Sequence, residues 1–407
     1  MTSTQWPDTR PRRGAPAGPA ALRTAGHRVG GARNASGPAP AASAAPAAGV
    51  GAHAVLVLLV AVLCLVGLVM VLSASASTSL TQYGSPWHFF ERELVWLAAG
   101  TGAFAVAWRV GPGRLRRLAR PALVVSIGAL LAVLVPGVGI RVGGAARWIG
   151  TSSLQLQPSE VAKLVLVLFA ADALDRRAGA PDVGRQIAPV VAALGVMAVL
   201  VMAQPDMGTT MVLATIGMAM LFTAGVPAKP MVTLGAVGAG LAGLLAVMAP
   251  YRVRRLTSFR DPMAHATGTG YQAVQGLVAL GHGRLLGDGL GSSILSSGYL
   301  PNASTDFIFA VIGEEAGLVG TLGVTALFAA FAVVGTRITC RTPDRHAALV
   351  CAGVLAWLVS QAIINIGAVV GLLPVTGVPL PFVSFGGSSL VIALFAVGLV
   401  AHAARRA

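Results

Sequence analysis

Residues 54–73 read AVLVLLVAVLCLVGLVMVLS, twenty consecutive positions without a charge. At ~1.5 Å rise per residue a helix of that length spans ~30 Å, the thickness of bilayer hydrocarbon. The run is too long for a strand and too evenly apolar to turn a face to water. It reads as a membrane-crossing helix, and the rest of the chain repeats it. Hydrophobic residues make up 55% of the sequence and charged residues only 11%, where a soluble domain carries roughly 25% charged. Mean hydropathy is +0.78.

Working outward, apolar segments are expected at 54–73, 94–110, 121–139, 157–174, 187–203, 208–224, 231–249, 306–335, 347–372 and 388–404. The fold class is therefore all-α, a polytopic membrane protein of about ten transmembrane helices. Residues 1–50 are rich in Ala, Gly, Pro and Arg with almost no large apolar side chains. Such a stretch cannot bury enough surface to offset its ordering entropy and reads as a disordered basic tail. The membrane domain occupies 51–407.

The net charge of +15 does not mark a nucleic-acid binder, because the basic residues sit in short gaps between apolar runs and not on one face. That distribution orients a membrane protein. With the N-terminus inside, about 20 of the 29 Lys and Arg fall in the tail and the inner loops. They include Arg10, Arg12, Arg13, Arg23, Arg28 and Arg33 in the tail, then Arg109, Arg114, Arg116, Arg117, Arg120, Arg176, Arg177, Arg185, Lys229, Arg337, Arg341, Arg345, Arg405 and Arg406. Both termini are then cytoplasmic. Cys64 and Cys351 lie in apolar runs and Cys340 in an inner loop, so no disulfide framework is readable.

The large extracellular loop, 250–305, precedes the eighth segment and breaks the charge pattern with Arg252, Arg254, Arg255, Arg260 and Arg284. Long loops cross regardless of charge, so these arginines are either tolerated or form a site for an anionic substrate. Guanidinium groups match phosphate oxygens in bidentate geometry.

Charged residues at the membrane are functional candidates. Glu160 and Lys163 open the fourth segment at i,i+3 spacing, as a structural ion pair or as a polar floor for a head group. Asp206, in Gln204-Pro205-Asp206-Met207-Gly208, suits a helix cap. Asp306 begins the eighth segment beside the basic loop, either as a cap or as a carboxylate working as a general base. Glu314 lies ~12 Å below it and ~80° round the helix and is expected to share a cavity with Asp306, while Glu315 points ~180° away and is expected to pack or pair with another helix. Arg147 and Trp148, in Ala145-Ala146-Arg147-Trp148-Ile149, suit either an interface anchor or a phosphate-and-sugar contact.

Taken together, six motifs in order resemble the shape, elongation, division and sporulation family of peptidoglycan glycosyltransferases. They are Gly144-Ala145-Ala146-Arg147-Trp148-Ile149, Gln157-Pro158-Ser159-Glu160 with Lys163, and Gln204-Pro205-Asp206-Met207-Gly208. Gly270-Tyr271-Gln272 and Leu300-Pro301 through Glu314-Glu315-Ala316-Gly317 follow. The last runs from Leu373-Pro374-Val375-Thr376-Gly377 through Pro381-Phe382 to Ser384-Phe385-Gly386-Gly387-Ser388-Ser389. The resemblance covers 54–404 and is nearest to the division branch of the family.

It implies ten helices in the bacterial cytoplasmic membrane and polymerisation of lipid II, an undecaprenyl-diphosphate-linked disaccharide peptide, on the outer face. The 4-hydroxyl of one sugar unit attacks the anomeric carbon of another with inversion. By the resemblance, Asp306 is the catalytic aspartate and Trp148, Glu160 and Lys163 are functional residues. Arg147, Arg252, Arg254, Arg255 and Glu314 join them as expected substrate contacts. The family often has an acid where this chain has Asn302 and a histidine where it has Ser304, so neither is assigned acid–base work. A class B penicillin-binding transpeptidase and other divisome membrane proteins are the implied partners. No spacing demands a metal, though a divalent cation such as magnesium could help hold a diphosphate. The alternative is a transporter that flips lipid II, whose site would lie near the membrane midplane.

Overall fold

The computed structural model describes residues 51–405, apart from 143–144, 152–154, 181, 248–252, 254–256, 269 and 294–299. The 1–50 tail, Arg252, Arg254, Arg255 and Arg406 lie outside the described residues. Each of the ten expected segments contains a helix. These are α1 (Ala52–Tyr83), α2 (His88–Leu115), α3 (Ala119–Leu134), α4 (Pro158–Arg176), α5 (Val183–Ala203), α6 (Met207–Thr223) and α7 (Ala228–Val247), then α9 (Ile308–Arg341), α10 (Arg345–Val369) and α11 (Ser388–Ala404). A further short helix, α8 (Tyr271–His282), lies in the large loop. Among the described residues, five stretches are long and apolar enough to cross a membrane: Ala52–Tyr83, His88–Leu134, Val183–Ala203, Ile308–Arg341 and Arg345–Val369. Shorter apolar helices cover Met207–Thr223, Ala228–Leu244 and Ser388–Ala404. The protein is thus an α-helical, multi-pass membrane protein.

Local sequence explains where helices stop. The helix of α2 breaks at Gly111, whose φ of 71° precedes Pro112, and α3 ends at Leu134 because Val135 must be extended before Pro136. The expected helix to residue 139 is therefore shorter by one turn. The chain then forms a small antiparallel sheet of β1 (Ile140–Val142), β2 (Ala145–Gly150) and β3 (Gln155–Leu156). Pro158 opens α4, where its missing N–H costs nothing.

Small residues bring helices together, as expected where lipid supplies no hydrophobic drive between them. Gly398 of α11 sits where a Cβ would come within 2.6 Å of the Phe104 carbonyl of α2, and Gly100 lies against Leu394. Helices α4 and α10 pass through the middle of the bundle, and their buried residues include Glu160, Lys163, Asp172, Gln361 and Asn365. Because successive long helices alternate in direction, the β1–β3 sheet, the α5–α6 turn, the large loop and the α10–α11 loop gather at one end.

Candidate active site

At that end the first element is the turn before α6. Asp206 caps the helix, its Oδ1 accepting the Thr209 N–H at 2.9 Å and its Oδ2 the Thr209 hydroxyl at 2.9 Å. The expected cap is thus present, and it aims the preceding carbonyls at β2. Arg147 donates from Nε to Gln204 O at 3.3 Å and from Nη2 to Pro205 O at 2.5 Å. Those bonds fix the plane of the guanidinium.

The loop after α10 completes the approach. Gly208 lacks a side chain where Val378 and Thr376 press against α6, so the loop seats close to the α5–α6 turn. Gly377 has φ +75°, a left-handed conformation that glycine adopts without steric cost. A Cβ placed on it would stand 3.4 Å from Asp306 Oδ2 and 4.0 Å from Arg147 Nη1. The carboxylate and the guanidinium, separated by 159 positions in sequence, therefore face one point.

Asp306 does not open the helix, as the sequence reading expects. Residues 301–307 form turns and α9 starts at Ile308. Asn302, at φ 59°, accepts the N–H groups of Thr305 and Phe307 at 3.1 and 3.2 Å and so turns the chain. Asn tolerates that conformation better than most residues. Three consecutive carbonyls of this turn are held from outside. Ser304 O accepts the Phe385 N–H at 2.9 Å, Thr305 O the Ser384 hydroxyl at 2.6 Å, and Asp306 O the Asn365 Nδ2 at 2.8 Å.

Glu160 and Lys163 lie beneath this layer. Lys163 Nζ is 2.7 Å from Glu160 Oε1 and donates to Gln361 Oε1 at 2.8 Å. Both are buried, at 2% and 1% exposure, and Gln361 joins the pair to the loop by donating to Pro379 O. Glu314 is also buried and accepts the Ser293 hydroxyl at 2.5 Å, while Glu315 accepts the Ser73 hydroxyl at 2.5 Å. Glu314 thus holds the large loop to α9, while Glu315 pairs with a second helix, α1, as its place on the side of the helix away from Asp306 suggests. Trp148 is half-buried in β2, paired across the sheet with Ile140. Arg260 and Arg284 are exposed. Sequence reasoning misses Gln361 and Asn365, and it places Gly377 and Ser384 in a motif without giving either a role. The first two had a readable signal, as amides four residues apart inside an apolar run. Among the described residues, no group of three His, Cys, Asp or Glu could hold a metal ion.

Apolar helices with a carboxylate, a guanidinium and hydrogen-bonded backbone turns gathered at one end define a multi-pass membrane protein with a polar site at one face of the bundle. The sequence profile of a family described as cell cycle protein, grouping FtsW, RodA and SpoVE, matches residues 53–407, and the chain belongs to that family. It is 40% identical over 335 residues to a protein of Alcanivorax borkumensis named probable peptidoglycan glycosyltransferase FtsW, covering 80% of this chain and 86% of that one. It is 36% identical over 326 residues to stage V sporulation protein E of Bacillus subtilis, covering 80% and 89%. Among solved structures, a chain from work on the coordination of polymerization and crosslinking by a peptidoglycan synthase complex superposes with TM-score 0.70 at 28% identity. That match covers 86% of this chain and 96% of the other. The rod shape determining protein RodA of Thermus thermophilus gives TM-score 0.63 at 28% identity over 86% and 95%.

Proposed function

We propose that this chain is a peptidoglycan glycosyltransferase that polymerises lipid II for septal wall synthesis. The observation that carries the reading is the convergence of Asp306 Oδ2 and Arg147 Nη1 on the space beside Gly377. A glycosyl transfer with inversion needs a base for the attacking hydroxyl and positive charge for the departing diphosphate. In this reading Asp306 takes the proton of the acceptor 4-hydroxyl as its oxygen bonds to the donor anomeric carbon. The bond from that carbon to the lipid diphosphate breaks, and opposite-face attack converts an α-linked donor into a β-linked glycan. Arg147 faces the developing phosphate charge, and Arg252, Arg254 and Arg255 of the large loop add to it. Trp148 contributes an apolar plate for a sugar face.

The basic loops at the end opposite the site favour cytoplasmic termini and an outward-facing site. The 1–50 tail is then a cytoplasmic extension of the 51–407 domain. A class B penicillin-binding transpeptidase that crosslinks the product, with other divisome membrane proteins, is the partner set this function calls for.

The test is glycan-chain formation from purified lipid II by the full-length protein in proteoliposomes, with and without the transpeptidase. Polymer from wild type and none from a folded Asp306→Asn variant is the expected result. Faster movement of lipid II across a sealed bilayer with no polymer from any preparation would replace the polymerase with the flippase.

A further inference from the structure

Helix α10 carries three polar side chains on one face, Trp357, Gln361 and Asn365, each about one turn from the next. They are 1%, 3% and 2% exposed. Inside a membrane protein such groups are costly unless each finds a partner within the fold, so their bonds show what they hold. Gln361 Oε1 accepts from Trp357 Nε1 and from Lys163 Nζ, both at 2.8 Å, and its Nε2 donates to Pro379 O at 3.0 Å. One turn further, Asn365 Nδ2 donates to Asp306 O and to Val378 O, both at 2.8 Å.

Two carbonyl oxygens aimed at one point repel each other unless a group that donates to both, such as one carrying two N–H donors on a single atom, stands between them. A carboxamide is such a group, and the requirement fixes its orientation, since a rotated amide would turn Oδ1 onto both carbonyls. Asn365 Oδ1 has no partner among the described residues. The fold thus accepts an orphaned acceptor at a position where the two donors are engaged. The bonds fall on both sides of the candidate site. One holds the backbone of Asp306 itself. The other holds Val378, the neighbour of Gly377, beside which Asp306 Oδ2 and Arg147 Nη1 converge. The donors from Ser384 and Phe385 tie the 304–305 turn to the loop, whereas Asn365 ties turn and loop together to the body of the bundle.

We propose that Asn365 is a positioning residue for glycosyl transfer. Its carboxamide sets the Asp306 carboxylate at a fixed distance from the loop, so that base and guanidinium flank the same space. The inference rests on Asp306 acting as the base.

Full-length Asn365→Ala and the near-isosteric Asn365→Asp are to be assayed for polymerisation of lipid II beside wild type and Asp306→Asn. Thermal unfolding in detergent and lipid II binding are measured on the same preparations. A displacement of ~1 Å at a reacting group can cost about 100-fold in rate, so kcat is expected to fall by about 100-fold while KM stays within about threefold. Both variants should unfold cooperatively and bind lipid II. Wild-type kcat in a folded Asn365→Ala protein overturns the positioning role, and so does a loss of activity that only tracks the unfolded fraction or the loss of binding. Asp306→Asn separates the two ideas. If it polymerises at the wild-type rate the base assignment falls, whatever Asn365 does. If it is inactive while Asn365→Ala keeps its kcat, the positioning role falls alone.

Discussion

Lys163 Nζ and Glu160 Oε1 are 2.7 Å apart on side chains 1% and 3% exposed. Removing one member strands the other as a bare charge, which costs about 3–5 kcal/mol, whereas replacing both by uncharged groups costs far less. Lys163→Met and Glu160→Gln singly should each lower the unfolding temperature in detergent well below that of the double variant. Single variants that melt with the wild type would remove the pair from the list of structural supports.

Gly377 should not tolerate a side chain. Alanine there would hold a φ of +75°, a conformation that costs an L-residue about 1–2 kcal/mol, and its methyl, in ordinary contact with Asp306 Oδ2 at 3.4 Å, would fill the space between base and guanidinium. Gly377→Ala is expected to stay folded and to lose about 100-fold in polymerisation, the scale on which displaced reacting groups act. Activity within a fewfold of wild type would mean that the space beside Gly377 is not where the substrates meet.

Ser73 joins α1 to the large loop. Its hydroxyl donates to Glu315 and accepts the Gly291 N–H at 3.0 Å, while Asp288 and Gly289 N–H groups bond the carbonyls of Glu314 and Glu315 at 3.0 Å. Loss of one such hydroxyl costs on the order of 1–3 kcal/mol locally. Ser73→Ala should accelerate amide hydrogen exchange across 288–293 and leave that of 380–385 unchanged. Equal exchange in both proteins would show that the backbone bonds alone hold the loop.

At the opposite end, Asp172 accepts from Arg116 Nε and Arg176 Nε, both at 2.7 Å, and Asp175 Oδ2 lies 2.8 Å from Arg116 Nη1. Asp172 is buried, but Arg116 is 31% exposed and Arg176 46%, so water screens much of the interaction. Asp172→Ala is expected to cost about 1–3 kcal/mol, read as a lowered unfolding temperature with kcat retained in the folded fraction. A fall in kcat without a fall in stability would contradict the structural assignment.

The helices were legible because long apolar runs with few charges have few other uses. Their ends were legible wherever proline or an N-cap stood, as at Pro158 and Asp206, and were misjudged at Val135, where a proline one residue on stops the helix early. The β1–β3 sheet was not legible, because its strands are two to six residues long and give no readable alternation. The carboxylates were found in sequence because charge in an apolar chain is conspicuous. A wheel drawn from Asp306 correctly turns Glu315 toward a neighbouring helix but does not give the bond of Glu314 to Ser293, and it assumes one helix from 306 onward. The real helix begins at Ile308, and Gly317, at φ 65°, breaks it again. Gly377 and Asn365 carry no charge, and their roles exist only once α10 and the loop after it are folded against the turn at 304–306.

The regular spacing of Trp357, Gln361 and Asn365 sets a limit on how this gene can change. An added or deleted residue between Gln361 and Asn365 turns everything beyond it by ~100° about the helix axis. The amide would then point away from the Asp306 and Val378 carbonyls while Lys163 and Pro379 kept their partner. Point substitutions along the lipid-facing side of α10 can accumulate over time, but its length between those two amides cannot drift by even one codon without uncoupling the carboxylate from its support.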